Sequence, residues 1–296
     1  MRRDPNIYTH HFGLSERPFS LLPDPDFLYW SKHHTFAYTM LEYGILTQAP
    51  VILITGDIGT GKTTLVHHLL RSMHADLRIG LISNASGNRE ELLHWIMQSL
   101  DQPTAARDTH VDLFARFQAY LIAAHARGER VVLIFDEAQN LTDDSLEELR
   151  MLTNINFGKD ERLQFVLVGQ PELRDRIERP ALRQLAQRVS SAFHLPGMER
   201  QTVAAYIDHR MQVAGATSNV FDPEACDAIF AATHGVPRLV NQLCDLSLLY
   251  AYSAGMDHVT GLTVEVVIDD DVFFPQTNHV EFISNTTRAA QLAQRA

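Results

Sequence analysis

The sequence predicts a doubly wound α/β domain with a five-stranded parallel sheet, followed by a small all-helical domain. Three observations carry this. Aliphatic runs of strand length at Val51–Ile54, Val131–Phe135 and Leu163–Val168 have the pattern of strands buried on both faces. Segments with helical spacing separate them, as crossover connections require. After Pro196-Gly197 strand patterns cease, and the apolar periodicity is helical as far as Ile268.

The elements follow in order. Residues 1–50 alternate rigid and aromatic residues at Phe12-Gly13-Leu14, Pro18-Phe19, Asp24-Pro25 and Phe27–Trp30, too much apolar surface to stay loose. Two readings stay open for this segment: a wrap that supplies an apolar wall for a bound base, or simple packing against the core. His33–Thr47 reads as a helix with Phe36, Met40, Tyr43 and Leu46 on one stripe. The first strand turns through Gly56, Gly59 and Gly61 into a helix carrying Leu65, Leu69 and Met73. A second strand, Ile79–Ser83, ends at Asn84; helices follow at Asn88–Leu100 and Val111–Arg127, the latter closed by Gly128. The strand Val131–Phe135 runs into Asp136-Glu137, and Leu141–Asn156 is a helix with acids early. The strand Leu163–Val168 ends in Gly169-Gln170-Pro171, Ala181–Arg188 is a short helix, and Val189–Leu195 is the fifth strand. Beyond the boundary, helices are expected at Thr202–Ala214, from Asp222-Pro223 to His234, from Pro237 to Tyr252, and at Leu262–Ile268. The division expected is 1–197 for the α/β domain with its N-terminal wrap, 198–268 for the helical lid, and 269–296 for a poorly ordered polar tail.

The chemistry concentrates in Gly56-Asp57-Ile58-Gly59-Thr60-Gly61-Lys62-Thr63-Thr64, a match to G-x-x-x-x-G-K-[ST] between a strand and a helix start. Glycines let successive backbone N–H groups point inward at a triphosphate, and the helix dipole adds positive potential there. Lys62 would reach the β- and γ-phosphates of ATP, and the Thr63 hydroxyl would ligate Mg2+. Acids at the C-terminal edge of a parallel sheet lie beside such a loop. Asp136 can hold the magnesium and Glu137 can polarise the attacking water. Gln170, at another strand end on the same edge, either contacts the γ-phosphate or water, or caps the following helix. Arg179, Arg183 and Arg188 cluster near the fifth strand.

Composition narrows the class. The 296 residues are 45 % hydrophobic, enough for a sizeable core, and the net charge of −11 disfavours non-specific wrapping of nucleic acid. Cys226 and Cys244 lack metal-motif spacing and fit a reducing compartment. The adjacent histidine pairs, such as His10-His11 and His67-His68, face different directions on a helix and do not make a zinc site. No apolar run reaches about 18 residues, and Met1-Arg2-Arg3 leads into no signal-peptide core. The expectation is a cytoplasmic protein with no direct membrane insertion, at most peripheral at the inner membrane through a partner.

The glycine-rich loop, Asp136-Glu137, Gly169–Leu173 and Gly235-Val236-Pro237-Arg238 together resemble an AAA+ ATPase. More narrowly, Phe12-Gly13-Leu14, Pro18-Phe19, Pro23-Asp24-Pro25 and Leu41-Glu42-Tyr43-Gly44 resemble the ExeA-type secretion ATPases, including relatives associated with exopolysaccharide export. The resemblance spans about residues 8–268. It implies that Asp136 is the Walker B magnesium acid and Glu137 the catalytic base, with Gln170 at the sensor-1 place. It implies Arg188, with Arg183 second, as an arginine finger acting across a homo-oligomer interface, and Arg238 as the sensor-2 arginine of the lid. Asn84 would hold Glu137 off line until a partner binds. Many ExeA-type proteins continue into a membrane span and a peptidoglycan-binding domain; neither follows in this sequence, so cell-wall binding is not carried over.

Two functional classes fit. One is an ATPase that energises or regulates assembly of an envelope secretion or exopolysaccharide-export system, with a secretion-system protein as partner. The other is an ATP-dependent DNA-binding factor of the transposition target-selection type, against which the net charge and the lack of a basic segment after the lid both weigh.

Overall fold

The computed structural model describes residues 7–21, 27–72, 76–83, 89–155 and 163–274. The α/β part runs α1 (Lys32–Leu46), β1 (Val51–Gly56), α2 (Lys62–Ser72), β2 (Leu77–Ser83), α3 (Arg89–Ser99), α4 (His110–Ala126), β3 (Arg130–Asp136), α5 (Asp143–Leu152), β4 (Leu163–Gly169), α6 (Pro171–Ile177), α7 (Arg183–Ala186) and β5 (Val189–Leu195). Among the described residues these strands form one all-parallel sheet in the order β2-β3-β4-β1-β5. The glycine-rich loop therefore leaves β1 between β4 and β5, and the Asp136-Glu137 turn leaves β3 on the same edge, one strand beyond β4.

Every residue of β1 and β4 is buried, as near-continuous apolar runs require of strands covered on both faces; the polar Gln164 of β4 donates to the carbonyls of Gly44 and Ala49. One face packs Leu53, Leu133 and Phe165 against α3, α4 and α5. The other packs Ile52, Ile54 and Val166 against α1 and α2. On α1 the buried residues are Ala37, Leu41, Gly44 and Ile45. Phe36 and Tyr43, on the stripe expected to face inward, are 54 % and 62 % exposed. At Gly44 the helix lies too close to the sheet for a side chain: a Cβ there would sit 2.7 Å from Ile52 Cδ1.

Two helix boundaries also differ from expectation. The helix after Asp136-Glu137 does not begin at Leu141. A 3-10 turn, Ala138–Asn140, intervenes, and α5 starts only after Thr142, whose side chain accepts from the Ser145 N–H. The segment before β5 is a 3-10 turn, Pro180–Leu182, and the single-turn α7, so Arg188 lies beyond the helix.

The lid comprises α8 (Arg200–Val213), α9 (Pro223–Thr233), α10 (Pro237–Ser253) and α11 (Gly261–Asp269). Its core includes Ile207, Ile229, Leu243 and Val264, and also Tyr8, Phe12, Leu14, Phe19 and Phe27 of the N-terminal segment. Tyr8 and Arg17 both donate to Asp245 of α10, and Arg210 Nε of α8 donates to the carbonyl of Pro18 at 2.5 Å. The aromatic residues of this segment thus pack with the lid as far as Tyr29, while Trp30 packs on the sheet side beside Tyr38 and His68. Phe273, at 4 % exposure, is buried in the same cluster, so packed chain continues past 269. The rest of the expected tail, 275–296, lies outside the described residues. Sheet and lid meet at Pro196-Gly197, where the Met198 N–H donates to the carbonyl of Gly235 at 2.8 Å.

Candidate nucleotide site

The sheet edge and the lid enclose a cleft of about 400 Å³. One side is the glycine-rich loop, with Ile58, Gly59, Gly61, Lys62, Thr63 and Thr64 on its surface. Gly59 and Gly61 have φ of +85° and +95°, the left-handed region that only glycine enters without strain. Gly59 also meets the lid. A Cβ there would lie 2.5 Å from that of Arg238, and the Arg238 N–H donates to the Gly59 carbonyl at 3.3 Å. Gly56 and Thr60 are buried and Asp57 is exposed; none of the three lines the cleft. The Thr60 N–H and hydroxyl both donate to the Asp57 carbonyl, at 3.3 and 2.9 Å, which closes the turn.

Lys62 is 6 % exposed, and its Nζ donates to the carbonyls of Gly56 at 2.7 Å and Asp57 at 2.8 Å. Burial pulls its pKa below the ordinary lysine value, partly countered by Glu137, Asp136, Asp57 and Glu172. It is a desolvated cation held by neutral partners, an arrangement that an anionic ligand improves. Asp136 is 5 % exposed. Its Oδ2 accepts from Thr63 Oγ1 at 2.8 Å and its Oδ1 from the Glu137 N–H at 3.0 Å. The structure thus brings the two expected metal ligands into contact. Two hard oxygens at this separation fit a hard divalent cation such as magnesium.

Glu137 also lines the cleft, on a backbone with φ +56° and ψ +37°. For a residue with a Cβ that conformation costs about 1–3 kcal/mol, and it persists only where the surroundings impose it. The far wall is apolar: Phe27, Leu28, Tyr29, Trp30 and Met198. The N-terminal segment thus reaches the cleft, and Phe27 serves both the lid core and this wall. Arg238 lines the lid side, with no side-chain hydrogen bond or ion pair among the described residues. Although the chain is acidic overall, the cleft holds Lys62, Arg210 and Arg238.

Other expected site residues stand elsewhere. Gln170 occupies the N-cap position of α6 without a side-chain cap bond; its backbone N–H donates to Gln139 Oε1 at 3.1 Å. Arg188 donates to Asn154 Oδ1 at 2.6 Å, and neither it nor Arg183 lines the cleft. Asn84 lies outside the described residues.

Two contributors escape sequence reasoning. Gln139 donates to Glu137 Oε2 at 2.6 Å, and only the observed turn brings the two together. His34 of α1 lies with Nε2 3.0 Å from the Thr60 carbonyl and Nδ1 2.7 Å from Ser31 Oγ. A carbonyl only accepts, so Nε2 carries the proton and the Ser31 hydroxyl donates to Nδ1. A Cβ on Gly61 would approach His34 Nε2 to 2.9 Å, so the imidazole is packed against the loop.

Burial pushes the His34 pKa below its ordinary value near 6.5. As pH falls through that value the unfolded chain binds more protons than the folded one. The stability from this contact is therefore fully present above about pH 6.5 and is lost on acidification. Between about pH 7.5 and 5.5 the urea midpoint of wild type should fall more steeply than that of His34→Gln; parallel slopes would assign the acid sensitivity elsewhere.

Residues 45–177 match the family described as AAA domain. The chain is 40 % identical over 249 residues to general secretion pathway protein A of Aeromonas hydrophila, a match that covers 84 % of this chain and 46 % of that protein. The chain therefore spans about half the length of this relative. Among solved structures, the ORC2 protein of Aeropyrum pernix in its ADPNP-ADP complexes aligns with a TM-score of 0.61 at 18 % identity, covering 86 % of this chain and 72 % of that one. Cdc6p from Pyrobaculum aerophilum aligns with a TM-score of 0.61 at 19 % identity, covering 80 % and 68 %. Drosophila ORC bound to DNA aligns with a TM-score of 0.64 at 16 % identity, covering 98 % and 70 %. At these identities the structural likeness establishes the fold alone. No helix among the described residues is long and apolar enough to cross a membrane. Strand order, loop and sequence match agree on an AAA+ P-loop ATPase, and over most of its length the chain is similar to general secretion pathway protein A.

Proposed function

We propose that this protein binds and hydrolyses ATP in a homo-oligomer, and that the cycle energises or regulates assembly of a bacterial envelope secretion or exopolysaccharide-export system. The observation that carries the chemistry is that Lys62, Thr63 and Glu137 line one cleft, with Asp136 accepting a hydrogen bond from the Thr63 hydroxyl. Lys62 and the loop amides bind the β- and γ-phosphates; the apolar Phe27–Trp30 wall receives the base. Thr63 and Asp136 hold magnesium, which when bound neutralises charge on the phosphate oxygens. Glu137 orients water and takes its proton as the water oxygen bonds to the γ-phosphorus and the bond to ADP breaks. Arg238 binds the phosphates from the lid side, so that the lid responds to hydrolysis. The pathway assignment draws support from the 40 % identical secretion-pathway relative. The net charge of −11 weighs against a role built on DNA phosphates.

Arg188 lies away from its own chain's cleft, which supports a role in a neighbour's. A finger supplied in this way is worth about a thousandfold or more in related NTPases. Arg188→Ala and Glu137→Gln proteins, each nearly inactive alone, should regain part of the wild-type turnover when mixed. Mixed assemblies would place an intact Arg188 against an intact Glu137 site. Absence of recovery at every mixing ratio, with mixed oligomers verified, would return Arg188 to a structural role.

A further inference from the structure

We propose that Gln139 is a positioning residue for the catalytic carboxylate, tying Glu137 to the junction of β4 and α6; the inference rests on the hydrolysis reading above. The side chain makes two bonds of opposite sense. Nε2 donates to Glu137 Oε2 at 2.6 Å, and Oε1 accepts from the Gln170 N–H at 3.1 Å. A carboxylate only accepts and an amide N–H only donates, so the carboxamide has one orientation. Glu137 keeps Oε1 for water while Oε2 is held.

The surroundings preserve this geometry. Arg176 of α6 donates to the carbonyls of Gln139 at 2.7 Å and Leu141 at 2.6 Å, fixing the 3-10 turn from below. Gly169 supplies the space above it, since a Cβ there would stand 2.9 Å from Gln139 Oε1. Glu137 itself sits in the left-handed region, so its direction depends on such outside restraints. The junction that Gln139 grips leads through α6 and α7 to Arg183 and Arg188. A displacement of that segment therefore reaches the carboxylate through one side chain.

The chemistry needed is specific: an uncharged group offering one donor and one acceptor at this reach. Gln139→Glu keeps the shape but loses the donor and sets a second carboxylate against Glu137. Gln139→Ala loses both bonds. Gln139→His retains a ring N–H at similar reach. In the full-length protein, kcat for ATP should fall about 10- to 100-fold in Gln139→Ala and Gln139→Glu, with KM and the affinity for a fluorescent ATP analogue within about twofold of wild type. Gln139→His should recover much of the loss. In Gln139→Ala the Gln170 amide should exchange hydrogen for deuterium faster than in wild type. Combining Gln139→Glu with Glu137→Gln should add no loss beyond Glu137→Gln alone, because a misaligned base and an absent one fail at the same step. Wild-type kcat in Gln139→Glu, or a loss of nucleotide affinity matching the loss of kcat, overturns the assignment while leaving the hydrolysis reading in place. A wild-type protein that binds ATP without turning it over removes both.

Discussion

Lys62→Ala should weaken ATP binding by about 100-fold or more. Charge-assisted hydrogen bonds from an ammonium to phosphate oxygens contribute about 1.5–3 kcal/mol each, and Lys62 is placed to serve two phosphates. Nothing else on the loop side replaces it: its other ligand contacts would be neutral backbone N–H groups, and Arg238 approaches from the lid. The fold should tolerate the change. Lys62 is a buried cation whose partners are two carbonyls, so its removal relieves a desolvation cost while giving up two hydrogen bonds. Titration with a fluorescent ATP analogue, with circular dichroism as the folding control, checks both halves. A folded variant with wild-type affinity would mean that the loop does not hold the phosphates.

Glu137→Gln should separate binding from chemistry. General-base catalysis contributes about 10²–10⁴-fold, and an amide cannot take the proton, so turnover should drop by about a thousandfold. Affinity for ATP should stay the same or tighten a few-fold, because a carboxylate facing the cleft repels the polyphosphate and the amide does not. The backbone should not move: the substitution keeps the side-chain length, and the new carbonyl can still accept from Gln139 Nε2. Single-turnover hydrolysis beside an equilibrium titration gives the two numbers. Turnover at the wild-type rate would move the base elsewhere.

What the amino-acid pattern revealed, and what it hid, follows from the range of the interactions. The glycine-rich loop was legible because its chemistry is local: strand, turn, lysine and helix start are contiguous. Asp136 and Glu137 were legible because a parallel sheet brings all its C-terminal strand ends to one edge. The start of α5 was misplaced because Thr142 caps the helix more strongly than the apolar Leu141 opens it. The buried stripe of α1 was missed because it alternates Leu41 and Ile45 with the small residues Ala37 and Gly44, the latter fitted to the closeness of the sheet. Hydrophobicity alone favoured Phe36 and Tyr43. The grip of Gln139 on Glu137 depends on a 3-10 turn and on the end of β4, a combination that no spacing in one segment encodes. His34 touches a loop 26 residues away, and only packing brings it there.

Tyr8 and Phe273 are sealed into one apolar cluster, while the sheet keeps a separate interior. The smaller body thus holds both extremities of the described chain. A tilt of that body would haul residues 7 and 274 through space together, so a load coupled at either position would feel the same stroke.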